Sequence, residues 1–134
     1  MRLEDQVPSV ELCHQLKELG MPQETMWVWY FDRVRSNAGV TEPQWQLIQG
    51  LGSKQFKHLE IGAPTVGELG EILPVTVCGN QMSQARVSDG WIAFYQMDQS
   101  VSGQTEAETR AKLLIWCAEN GQVDWARAQK ETRR

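Results

Sequence analysis

Asp89-Gly90 stands between two apolar runs, QARVS and WIAFYQM, and no other feature narrows the possible folds of this chain so far. An Asp-Gly pair suits the positive-φ positions of a tight hairpin turn, so the flanking runs read as paired antiparallel strands. VTVC lies just upstream and extends the reading to three consecutive strands, over residues 74–79, 83–88 and 91–97. The next segment, TEAETRAKLLIWCAENG, is a helix in which Thr105 and Glu108 form a capping box and Asn120-Gly121 closes the end. Ala107, Ala111, Leu114, Ile115 and Ala118 line one of its faces.

The chain opens on a second helix, PSVELCHQLKELG, which Ser9 can cap and Gly20 ends. Residues 26–31, MWVWYF, then put Trp27, Trp29 and Phe31 on one alternating face and Met26, Val28 and Tyr30 on the other. Such a run suits a strand covered on both sides, or on one side with an adhesive second face. Between Arg33 and Glu60 the pattern is ambiguous: TEPQWQLIQGLG fits a short helix capped by Thr41 or a strand with its loops. Together these elements predict an α+β fold, an antiparallel sheet of about four strands with two to three helices packed on it. The chain has no internal repeat or low-complexity linker, so residues 1–134 read as one domain. From Asp124 onward, DWARAQKETRR carries four basic residues against two acids, and residues 124–134 read as a frayed, solvated basic tail.

The stretch APTVGELGEILP, residues 63–74, raises the question of a phosphate loop. Gly62, Gly67 and Gly70 match neither G-x-x-x-x-G-K-[ST] nor G-x-G-x-x-G, and Glu68 and Glu71 would repel a phosphate. Thr65 and Glu68 instead form a capping box, and Val66, Leu69, Ile72 and Leu73 share a face. An interior glycine costs a helix about 1 kcal/mol relative to Ala. Close approach of the sheet or of a neighbouring helix is the compensation to expect.

Composition excludes several classes of function. The net charge of −4 argues against a general nucleic-acid binder, and no apolar run is long enough to span a membrane. MRLEDQVPSV lacks the apolar core of a secretory leader, so the chain is expected in the cytoplasm of its host cell. Cys13, Cys78 and Cys117 are odd in number and widely spaced, so they read as reduced thiols. With two histidines and no C-x₂₋₄-C or H-x₃₋₅-H spacing, no metal site and no cofactor are predicted. Cys13 and His14 are neighbours on a helix and point about 100° apart, so they are no nucleophile–base pair. Glu68, Glu71, Glu106 and Glu108 sit where a helix N-terminus favours negative charge and read as structural. No catalytic residue is assigned. An enzyme would need a site gathered from distant groups such as His58, Asp32 and Glu60.

Six tryptophans are far above ordinary usage and point to a contact surface as well as a core. Trp27, Trp91 and Trp116 read as core. Trp29 and Trp45 are the candidate aromatic binding residues for a protein partner or for self-association. The alternative partner is single-stranded nucleic acid, stacked on the aromatic strand and held by Arg33, Arg35 and the basic tail.

Three segments carry a family likeness: SVELCHQLKELGMPQETMWVWY, APTVGELGEILP and TEAETRAKLLIWCAENGQV. In that order and spacing they resemble a family of small uncharacterised proteins of bacteriophages and prophages. The blocks cover 53 of the 134 residues, and residues 33–60 and the tail lie outside them. The resemblance implies a phage or prophage origin and a bacterial cytoplasm, and it brings no catalytic or binding residue with it. The expected role is that of a small accessory protein, a non-enzymatic module that binds a host or phage protein.

Overall fold

The computed structural model describes residues 3–23, 25–32, 35–36, 39–40, 44–49, 60–96, 99–123 and 125, with the backbone alone at 31, 32, 35, 36, 39, 40, 44 and 60. Helix α1 (Val10–Glu18) begins where the Ser9 side chain accepts from the Leu12 N–H. It ends in a paired set of backbone bonds, Met21 N–H to Leu16 O at 3.0 Å and Gly20 N–H to Lys17 O at 3.1 Å, with Gly20 at φ +104°. This Schellman arrangement requires a left-handed residue, which glycine adopts without a Cβ clash. Helix α2 (Val66–Ile72) carries the Thr65–Glu68 capping box, with both reciprocal hydrogen bonds formed. Helix α3 (Glu106–Glu119) is capped by Thr105 and closed at Gly121 by the same device as α1. Its expected capping box is only half formed: Thr105 Oγ1 accepts from the Glu108 N–H at 3.1 Å, but the Glu108 carboxylate does not return a bond to the Thr105 N–H.

The strands divide among separate sheets. Strand β1 (Trp27–Asp32) is the centre of one, flanked by β4 (Gln44–Gln49) and β5 (Glu60–Ala63), both antiparallel to it. The TEPQWQLIQGLG ambiguity therefore resolves as strand at Gln44–Gln49. Two short strands, β2 (Arg35–Ser36) and β3 (Gly39–Val40), pair with each other between β1 and β4. A second sheet has the order β10–β9–β8, formed by β8 (Ser83–Val87), β9 (Gly90–Phe94) and β10 (Ser100–Gly103).

The α+β class is the one read from the sequence, but the strands are not gathered in one sheet. The strand expected over residues 74–79 is only Thr76–Val77, β6, paired with β7 (Asn80–Gln81). Cys78 and Gly79 between them have φ of 51° and 82°, positive at both central positions of the turn. That is type I′ geometry, which reverses the chain at once and keeps β6 out of the larger sheet. The third strand of that sheet is β10, SVSG, whose serines and glycine gave no apolar strand signal. At the Asp-Gly hairpin the pairing Val87 with Gly90 makes Ser88 and Asp89 the turn residues, and Gly90 belongs to the strand at φ +142°.

The core has two parts joined by α1. Leu16 packs with Leu69, Leu73, Leu113, Leu114 and Tyr95, where α3 lies against α1, α2 and the second sheet. Cys13, one turn earlier, packs with Val7, Ile61 and Ala63 against the first sheet, with Trp27 and Trp29 alongside. The buried positions of α3 include Thr109, Leu113 and Cys117 beside the expected Ala107, Ala111, Leu114 and Ile115. Contact on several sides at once widens the buried stripe beyond a single face. No helix among the described residues is long and apolar enough to cross a membrane.

Candidate functional site

A groove of about 500 Å³ lies where the β8–β9 turn meets the end of β10 and the first turns of α3. Val87, Asp89, Trp91, Ser102, Gly103, Gln104, Glu108 and Lys112 line it. Its position follows from strand register. Gly103 is the partner of Trp91 across β9–β10, so the position directly opposite the indole carries no side chain. A Cβ on Gly103 would lie 2.8 Å from Thr109 Oγ1, and one on Gly90 would collide with the Gly103 carbonyl. Both positions must be glycine for the turn, the edge strand and the helix to approach this closely. Thr109 fastens the junction, its hydroxyl donating to Thr105 O at 2.9 Å and lying 3.5 Å from Trp91 O.

The charged groups of the groove are committed unequally. Lys112 is one helical turn beyond Glu108, the spacing of an i,i+4 ion pair. Its ammonium donates instead to Ser102 O at 2.8 Å. Among the described residues the carboxylates of Glu108 and Asp89 have neither an ion-pair nor a hydrogen-bond partner, whereas Glu106 pairs with Arg110 at 3.1 Å. The groove thus combines a half-buried indole with two uncommitted carboxylates.

The residues singled out from sequence are distributed differently. Trp29 lies over the Cys13 cluster and its indole N–H donates to Pro8 O at 3.1 Å, so this side chain serves the interior. Register places Trp45 opposite Phe31 and two residues from Leu47, the partner of Trp29, so Trp29 and Trp45 share one face of the sheet. Trp45 is 37% exposed on the outer strand β4. Arg33 lies outside the described residues, and Arg35 is placed by backbone only, in β2 opposite Val40. His58 lies outside them as well.

Trp116 packs against the larger core, as read, whereas Trp91 lines the groove rather than filling the core. Trp125 falls in the segment read as a frayed tail. It is docked, its indole N–H donating to Leu19 O at 2.9 Å over the bare Cα of Gly20. The rest of that segment lies outside the described residues. Sequence reasoning missed the groove because its shape depends on which residue pairs with Trp91. The one local signal was the Glu108–Lys112 spacing.

Two of the three thiols and one tyrosine are held protonated by burial. The Cys13 thiol is pushed up to about 12 by loss of solvent, with the Trp29 indole acting in the opposite direction. Burial likewise pushes Cys117 up to about 12. Tyr95 is raised too, by burial and then by the neighbouring Cys117, while its hydroxyl donates to Pro74 O. A thiol held protonated is a poor nucleophile. His14 pairs with Glu18 at 3.1 Å on the exposed side of α1, away from Cys13, whose Sγ faces Pro8 O. Among the described residues no three His, Cys, Asp or Glu side chains converge to hold a metal ion.

Fold and site together define an α+β protein with a mixed aromatic and charged groove at the junction of a hairpin and a helix start. No protein-family model, curated protein or solved structure matches the chain.

Proposed function

We propose that this protein is a binding module that works by holding another protein, a small accessory protein of phage or prophage origin acting in a bacterial cytoplasm. The origin rests on the three sequence blocks. The binding role rests on one observation: the groove presents an indole and two uncommitted carboxylates on a concave surface built from two glycines. Half-exposed aromatic side chains in a depression, rimmed by polar groups, are the usual anchors of protein contacts. Trp45 on β4 supplies a second aromatic contact at a separate place on the surface.

Purified tagged protein passed through bacterial lysate at low and high salt tests this reading. One protein retained near stoichiometrically through high salt, and lost with Trp91→Ala or Trp45→Ala in correctly folded bait, is the expected result. Nucleic acid released by salt would replace the reading with the single-strand alternative, and an empty bait would overturn a stable partner.

A further inference from the structure

Resting on the binding-module reading, we infer that the groove receives an arginine side chain of the partner protein, its guanidinium set between the Trp91 indole and the carboxylates of Asp89 and Glu108. The inference starts from the unequal commitment of charges. Lys112 would neutralise Glu108 if the two paired, but its ammonium is drawn to Ser102 O at 2.8 Å. Asp89, at the hairpin turn, and Glu108, in the first turn of α3, line the same depression. Arg86 is the cross-strand partner of Trp91 on β8, yet it is exposed and does not line the groove.

An indole face beside carboxylates suits a guanidinium better than any other common side chain. The guanidinium is planar, weakly hydrated, stacks on aromatic rings and donates in a fork that matches carboxylate oxygens. A lysine ammonium would satisfy the charge but not the stacking. A phosphate or carboxylate ligand would meet two like charges against the single ammonium of Lys112, which is already bonded to Ser102 O. The groove volume of about 500 Å³ accommodates one long side chain with the backbone that carries it.

The test uses the full chain, labelled with ¹⁵N, and three short capped peptides of the form Gly-X-Gly. X is arginine, lysine or the neutral arginine isostere citrulline. The readout is the Trp91 indole N–H resonance, identified by its disappearance in Trp91→Phe. The arginine peptide is expected to shift that resonance saturably, with affinity about tenfold above citrulline and with lysine in between. Asp89→Asn with Glu108→Gln should weaken the arginine peptide about tenfold, and Lys112→Met should strengthen it.

Equal responses to arginine and citrulline would overturn the inference. So would an unchanged affinity in the double variant, whose intact fold is read from the remaining resonances. The two readings fail separately. A partner that the double variant retains as well as the parent leaves the binding module standing and removes the arginine site. An arginine peptide bound as expected beside an empty pull-down removes the stable partner and keeps the site.

Discussion

Arg110 of α3 lays its guanidinium over the bare Cα of Gly70 in α2, where a Cβ would lie 2.6 Å from Nη1. That guanidinium also donates to Val66 O at 2.9 Å and Gln84 Oε1 at 2.9 Å, and it pairs with Glu106 at 3.1 Å. One side chain therefore ties α2, α3 and β8 together, and Gly70 is the space it passes through. At Gly67 a Cβ would meet nothing nearer than Thr65 Oγ1 at 3.9 Å. The two glycines of one short helix should respond oppositely to substitution. Gly67→Ala should stabilise by up to about 1 kcal/mol through helix propensity. Gly70→Ala should destabilise by about 1–2 kcal/mol, because charge-assisted bonds of Arg110 are lost against the same gain. Urea unfolding of both, repeated on an Arg110→Ala background, checks the cause: there Gly70→Ala should become neutral or favourable.

The buried thiols set an alkaline limit to stability. Cys13 and Cys117 are raised from an ordinary 9.0 to about 12 in the folded chain. A raised folded-state value means that their contribution is complete below pH 9 and is lost as pH climbs towards 12. In that window the unfolded chain releases protons that the folded chain keeps, at about 1.4 kcal/mol per pH unit per thiol. Tyr95, raised in the same direction, adds its loss from an ordinary 10.0 upward. Unfolding free energies measured from pH 8 to pH 11 should fall steeply, and Cys13→Ala with Cys117→Ala should make the slope shallower whatever its cost at pH 8. A flat parental profile would mean that the thiols ionise in the folded state.

Trp29 and Trp45 share a sheet face but not a role. Trp29→Phe removes the N–H that satisfies Pro8 O and should cost about 1–2 kcal/mol in urea unfolding. Trp45→Ala, at a position 37% exposed, should cost less than about 1 kcal/mol. Equal costs would place both side chains in the same kind of environment.

Cys78 is exposed and adopts φ 51°, a left-handed conformation that disfavours most side chains. Asn tolerates it best after Gly, so Cys78→Asn should stabilise by about 0.5–1 kcal/mol, whereas Cys78→Val should destabilise by at least as much. In the native chain a disulfide-exchange reagent should modify one thiol rapidly, at Cys78, and reach Cys13 and Cys117 only on unfolding.

Local chemistry was legible before any coordinates. Thr65 with Glu68, Thr105, Ser9, Gly20 and Gly121 mark helix ends through bonds spanning a few residues, and each serves as the sequence indicated, whereas Glu108 does not complete the box expected with Thr105. The hairpin at Asp89-Gly90 was legible for the same reason, though its turn is shifted by one residue. The α+β class follows from the alternation of such elements.

Register and partnership required the tertiary structure. SVSG has a single apolar residue, Val101, too few to show an alternating pattern, and it became a strand because β9 offered an edge to it. Trp29 and Trp45 look equivalent as residue types. Their difference comes from Pro8 and the Cys13 cluster, which cover one end of a shared face. Gly70 needed Arg110, forty residues away, to explain it. The groove depends on Gly103 standing opposite Trp91 and on Lys112 turning to Ser102 rather than to Glu108. Caps and turns are short-range bonds written within one stretch of chain, so residue types a few positions apart suffice to specify them. Strand partners and side-chain pairings are choices among distant alternatives of similar local energy, and only packing of the whole chain decides them.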